Sequence, residues 1–279
     1  MRGRDTVLLG LVSALAIDVH LVFAQSPANW QTGFGVSASE TKARIVALHD
    51  HILLIGVCIV VLVAVLIGFA LIRFRSSRHP TASKVTRMPW LEFGWTVAPV
   101  LVLGAIAAPS LQLLAYESDI PVASLTVKVS GHQWFWRYSY PDNGGIAYDS
   151  IMLPPAAVPA GEPRLLAVDN RMVVPVGAVV RIQVTSSDVV HSFFMPALGL
   201  QIYAIPGRLN ETWTRVDKPG IYYGQCNQIC GLNHSFMPIV IEAMAQADFE
   251  SWARDAAARY PVVSAAAPNA VTAPVQAAN

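Results

Sequence analysis

Between His51 and Arg73 the chain carries no charged, hydroxyl or amide side chain, and this apolar run over 52–72 restricts the fold more than any other feature. At helical rise it reaches roughly 30 Å, the hydrocarbon thickness of a bilayer, where a backbone must satisfy its own hydrogen bonds. A membrane-crossing helix follows. A second such run lies over 95–116, with Pro99 in its first turns and Pro109 deeper, where a kink or a neighbouring helix is expected. Between the spans stand Arg73, Arg75, Arg78, Lys84 and Arg87, an excess of positive charge normally held on the cytoplasmic side. Everything beyond the outer ends of this hairpin then faces the opposite compartment, which is the periplasm in a bacterium with two membranes.

The rest of the composition agrees. Of 279 residues 54% are hydrophobic and only 13% charged, so the excess apolarity belongs in lipid. A net charge of +1 gives no electrostatic case for a nucleic-acid partner. Residues 1–24 read as a secretory signal peptide: Arg2 and Arg4, an apolar stretch from Val7, then Val22-Phe23-Ala24 before Gln25. Asp18 and His20 interrupt its core, which leaves a retained anchor as the alternative. The membrane hairpin occupies 25–117.

From 118 onward the pattern becomes strand-like. Ser124-Leu125-Thr126-Val127-Lys128-Val129 and Val180-Arg181-Ile182-Gln183-Val184 alternate, with Pro and Gly clusters between such runs. Successive short strands with no long helix predict a Greek-key β-sandwich or barrel over 118–260. One amphipathic helix closes it over 248–260, where Phe249, Trp252 and Ala256 share a face. Residues 261–279, rich in Ala, Val and Pro, read as a disordered tail.

Within this domain the loop Gly224-Gln225-Cys226-Asn227-Gln228-Ile229-Cys230-Gly231-Leu232-Asn233-His234-Ser235-Phe236-Met237-Pro238 concentrates two thiols, an imidazole and a thioether. Two isolated cysteines outside the cytosol are by default a disulfide. Here His234 and Met237 follow the second Cys, and His191 in Val190-His191-Ser192-Phe193-Phe194-Met195-Pro196 supplies a second imidazole. Soft sulfur with imidazole suits copper, and the thioether disfavours zinc. Paired thiolates can bridge two copper ions, with one imidazole for each. Cys58 lies in the first span and reads as packing.

This loop, with Gly131-His132-Gln133-Trp134-Phe135-Trp136 and Ile205-Pro206-Gly207-Arg208, resembles subunit II of the heme-copper cytochrome c oxidases over about residues 49–252. The resemblance implies a membrane-anchored all-β protein, a transmembrane hairpin followed by a cupredoxin-like sandwich. It also implies a function: the electron-input subunit of a proton-pumping terminal oxidase, working beside subunits I and III. Cytochrome c would deliver electrons to a dinuclear copper A centre, which passes them to heme in subunit I, where oxygen is reduced.

By the same resemblance His191 and Met237 complete one copper, His234 and the Gln228 backbone carbonyl the other, and Cys226 and Cys230 bridge both. The family usually has Glu at position 228, whose carboxylate binds magnesium at the contact with subunit I; the amide here implies weak magnesium binding or none. Gln201 and Tyr203 stand where Lys and Asp are usual, in the same region. Trp134 matches the tryptophan at which electrons arrive, and Glu92 the mouth of a proton path into subunit I. Asp142, Asp149 and Asp188 match acids that dock a basic cytochrome c, whereas Ser139 and Ser187 replace two others. The chain carries no Cys-x-x-Cys-His for covalent heme, so the donor is expected to be a separate protein. A quinol oxidase subunit would share the fold without the ligands, and a membrane-tethered copper carrier would favour exposed, exchangeable Met or Cys pairs.

Overall fold

A computed structural model describes residues 23–25, 30–31, 33–81 and 83–260. The tail expected over 261–279 lies outside the described residues, as does the leader expected over 1–24 up to residue 22.

Helix α1 (Glu40–Arg73) and helix α2 (Pro89–Ser118) form the hairpin, and both are long and apolar enough to cross a membrane. The apolar side chains of both stand exposed, Leu62, Leu66 and Leu71 on α1 and Leu101, Leu103 and Leu111 on α2 among them, as lipid-facing residues require. α1 begins twelve residues before the apolar run predicted at 52, because Ser39 caps it: its Oγ accepts from the Lys42 N–H at 3.1 Å, and Glu40 stands in the first turn. With 34 residues α1 is about 51 Å long, so its first turns rise out of a hydrocarbon layer of about 30 Å and reach the sandwich. α2 starts with Pro89 at its N-terminus and remains one helix through Pro99 and Pro109.

The β domain is two sheets face to face. One contains β2 (Leu125–His132), β3 (Phe135–Tyr140), β4 (Ile146–Ser150), β6 (Val179–Ser186) and β9 (Asn210–Arg215) in the order β4-β3-β2-β6-β9. The other runs β5-β11-β10-β7-β8, made of β5 (Met172–Pro175), β7 (His191–Met195), β8 (Leu200–Ala204), β10 (Gly220–Cys226) and β11 (Pro238–Met244). The short β1 (Phe23–Gln25) adds to β10 in parallel. Alternation in the sequence turns Leu125, Val127 and Val129 of β2 and Val180, Ile182 and Val184 of β6 into the core, as the predicted sandwich requires. Helix α3 (Gln246–Arg259) buries Phe249, Ala253 and Ala256, while Trp252 packs edge-on against Tyr140.

Hairpin and sandwich are joined through the first turn of α1. Ala38 N–H donates to the Ala197 carbonyl at 2.9 Å, Ser39 Oγ to the Leu198 carbonyl at 2.7 Å, and Asp217 N–H to the Ala38 carbonyl at 2.9 Å. Glu40 pairs with Arg44 at 2.6 Å and with Arg215 at 2.9 Å, and Tyr116 of α2 stacks edge-on with Trp213 of β9. Gly199 has a φ of +67, and a Cβ there would lie 3.1 Å from the Lys42 backbone; glycine is what allows α1 to come so close.

Candidate metal centre

The register of the second sheet brings the candidate ligands together. β10 pairs with β7 through Cys226 opposite Phe193, which places the end of the Cys strand beside His191 at the start of β7. β11 returns antiparallel to β10 from Pro238, so Met237 comes back under Cys226, whose N–H donates to the Met237 carbonyl at 3.4 Å. A short 3₁₀ turn over His234–Phe236 carries the second imidazole.

The donor atoms converge. Cys226 Sγ and Cys230 Sγ are 3.9 Å apart and both cysteines are free. Cys226 Sγ is 4.0 Å from His191 Nδ1 and 3.3 Å from the Gln228 carbonyl oxygen. Cys230 Sγ is 3.6 Å from His234 Nδ1 and 3.5 Å from Met237 Sδ. Separations of this size are the edges of coordination polyhedra whose ligands lie about 2.0–2.3 Å from a metal. The residues therefore fit a soft metal: two thiols, two imidazoles, a thioether and a carbonyl, with His191, Cys226, Cys230 and Met237 all buried.

Electrostatics favours the ionised donors unequally. Burial opposes the Cys226 thiolate, but hydrogen bonds from His191, the backbone at Ser192 and Gln228, and His234 outweigh it and bring the thiol down to about 7. Burial and the adjacent Cys226 push Cys230 up, since two thiolates this close repel. Burial also opposes the His191 imidazolium, yet Cys226 and Asp188 together raise its pKa. A metal held by both sulfurs and by His191 Nδ1 would have to displace the protons that these groups carry in its absence, so binding would release protons.

A shell that composition and spacing did not single out surrounds these donors. Asp188 Oδ1 accepts from His191 Nε2 at 2.8 Å, which directs Nδ1 toward the thiols. Although partial desolvation opposes it, the exposed Asp188 carboxyl is held below its ordinary pKa by His191 and by the N–H groups of Gln133 and Val189. Trp136, fully buried, donates from Nε1 to the Met237 carbonyl at 3.3 Å and meets the His191 ring edge-on, forming a dry wall behind the site. Gly131 lies under His191: a Cβ there would sit 2.8 Å from the ring.

The remaining candidates fall in several places. Trp134 is half-buried at the site, and a Cβ on Gly231 would be 3.0 Å from its ring, so the indole lies over the peptide next to Cys230. Asp142 accepts from the Thr126 N–H at 2.7 Å, and Asp149 forms an ion pair with Arg137 at 2.7 Å. With Asp188 turned toward His191, all three acids make bonds within the domain. Gln201 and Tyr203 project from β8 with exposed side chains. Glu92 is far from all of these, in the first turn of α2, where Oε1 accepts from the Met88 N–H at 3.2 Å.

Fold and site together define a membrane-anchored, cupredoxin-like protein with a sulfur-rich cluster of donors that could hold a metal. Residues 27–113 match the family profile for cytochrome C oxidase subunit II, transmembrane domain, and residues 125–244 that for the periplasmic domain. The chain is 46% identical over 245 residues to "Probable cytochrome c oxidase subunit 2" of Rickettsia bellii, covering 88% of this chain and 90% of that one. It is likewise 46% identical over 230 residues to the protein of the same name from Rickettsia prowazekii, covering 82% and 74%. Among solved structures, the periplasmic domain of subunit II of cytochrome oxidase from Bradyrhizobium japonicum is 50% identical, with a TM-score of 0.48 over 51% of this chain and 99% of that one. This chain belongs to the cytochrome c oxidase subunit II family.

Proposed function

We propose that this chain is the electron-input subunit of a proton-pumping terminal oxidase in a bacterial inner membrane, with its β domain in the periplasm and subunits I and III as neighbours. Electrons arrive from cytochrome c at a dinuclear copper centre and leave for heme in subunit I. One observation carries the reading. A bridging thiolate must neighbour donors of both metals, and Cys226 touches His191 and the Gln228 carbonyl while Cys230 touches Met237 and His234. Each thiol therefore contacts one donor assigned to each copper.

The chemistry that copper supplies, when bound, is reversible one-electron storage shared between two metals. The chain supplies the rest. The sandwich holds the donors rigidly, Trp136 and the core exclude water, and Trp134 presents an aromatic path from the surface to the Cys230–Gly231 peptide. Cytochrome c is expected to dock near Trp134. Asp142, Asp149 and Asp188 are committed to Thr126, Arg137 and His191, so their steering of a basic donor is weaker than free acids would give. Glu92 stands at the opposite end of the hairpin, where it serves as the mouth of the proton path. Gln228 offers an amide where magnesium needs a carboxylate; stoichiometric magnesium in the purified complex would contradict weak binding.

The test is the electron paramagnetic resonance spectrum of the copper-loaded, full-length chain. Hyperfine structure of one electron shared equally by two coppers is expected. A single-copper spectrum, or a silent one under oxidising conditions, would overturn the reading in favour of a carrier or a disulfide.

A further inference from the structure

Behind the thiols lies a hydrogen-bonded frame built from residues that are not donors to the metal. The Asp188 carboxylate uses one oxygen for His191 Nε2, at 2.8 Å, and the other for the backbone N–H of Gln133, at 2.7 Å. The Gln133 side chain runs the opposite way, and its Nε2 donates to the Cys230 carbonyl at 2.8 Å. The next residue is Trp134. A Cβ on Gly231 would meet Gln133 Nε2 and Trp134 Cζ2 at 3.0 Å each, so both side chains rest on the same peptide.

These contacts join three separate parts of the site. Gln133 lies in the connection from β2 to β3 in one sheet; His191 begins β7 and Cys230 follows β10 in the other. Apolar packing between two sheets tolerates small shifts of a loop, whereas a hydrogen bond at 2.8 Å does not. Only a side chain with a donor at this reach serves. Glu would turn a carboxylate oxygen on the Cys230 carbonyl, and Leu would occupy the space without a donor.

We propose that Gln133 is a positioning residue of the centre, clamping the Cys loop with its side chain and the His strand, through Asp188, with its backbone, so that Trp134 is held at a set distance from Cys230. The proposal rests on the dinuclear copper reading above. Gln133 touches none of the donor atoms; it acts through Cys230, His191 and Trp134.

The experiment compares the full-length wild type, Gln133→Leu and Gln133→Asn, each copper-loaded and each assembled in the oxidase. It reads the hyperfine pattern, the rate of copper release to a chelator, and the rate at which electrons arrive from reduced cytochrome c. In Gln133→Leu the two coppers are expected to become inequivalent, copper release to quicken by about 10–100-fold, as loss of an outer-shell partner does, and electron arrival to slow. Gln133→Asn keeps the donor one methylene short and is expected to fall between. A lower unfolding temperature with wild-type spectrum, release and electron arrival means a merely structural role and overturns the proposal. If Gln133→Leu does not fold, Gln133→Asn decides: wild-type release and spectrum from it overturn the clamp, and intermediate values support it. A wild type without the shared-electron pattern removes the copper reading, and this proposal with it.

Discussion

Tyr140 shows how much a single residue carries here. Its hydroxyl accepts from the Val173 N–H at 2.8 Å and donates to the Val173 carbonyl at 3.0 Å, so a residue of β3 in one sheet satisfies the backbone of β5 in the other. Full burial pushes its phenol far above the ordinary range, and the group stays neutral. Tyr140→Phe leaves both Val173 groups without their partner and is expected to lower unfolding stability by about 1–3 kcal/mol. Denaturant unfolding of the detergent-solubilised chain measures it, and no loss would argue that water replaces the hydroxyl. Trp134 is different, because its value lies in placement over Gly231. Trp134→Ala is expected to retain copper yet slow electron arrival from cytochrome c at least about tenfold, ~1.4 kcal/mol of barrier, in stopped-flow mixing. An unchanged rate with copper intact would place the electron path elsewhere.

Among elements, the first turn of α1 is the coupling between membrane and sandwich. Ser39, almost wholly buried, caps the helix through Lys42 and donates to Leu198 at the end of the turn that follows β7, the strand of His191. Ser39→Ala is therefore expected to cost ~1 kcal/mol and to raise amide exchange at the start of α1 by about fivefold, read by hydrogen-deuterium exchange of the full chain. Unaltered exchange would mean that the Glu40 ion pairs with Arg44 and Arg215 hold this turn by themselves. The junction was not legible in the sequence. The apolar pattern announced a helix from 52, while the earlier turns carry Glu40, Lys42, Arg44, His49 and His51; of these Glu40 reaches Arg215 and Lys42 lies against Gly199 of the sandwich, contacts that no local pattern shows.

Across the whole molecule the hairpin separates the two proposed functions. α2 is about 45 Å long, so Glu92 at its start and the candidate metal site beyond its end cannot influence each other directly. Glu92→Ala is accordingly expected to reduce oxidase turnover several-fold while leaving the copper spectrum and the arrival of electrons as in wild type; full turnover would remove Glu92 from the proton path. What the sequence determined by itself is whatever depends on residue type and near neighbours. Continuous apolarity over 52–72 demands lipid, alternation in β2 and β6 demands a two-faced sheet, and Cys226, Cys230, His234 and Met237 are close because one short loop carries them. Only the tertiary structure decided the rest. His191 meets Cys226 through the register of β7 on β10, Gln133 reaches Cys230 across 97 positions, and Arg215 reaches Glu40 across 175. Asp188, matched by resemblance to a docking acid, also bonds His191, a contact that the sequence did not disclose. The physical reason is that burial and ligand softness are properties of side chains, whereas a hydrogen bond's partner is set by how strands align, and no local pattern encodes that alignment.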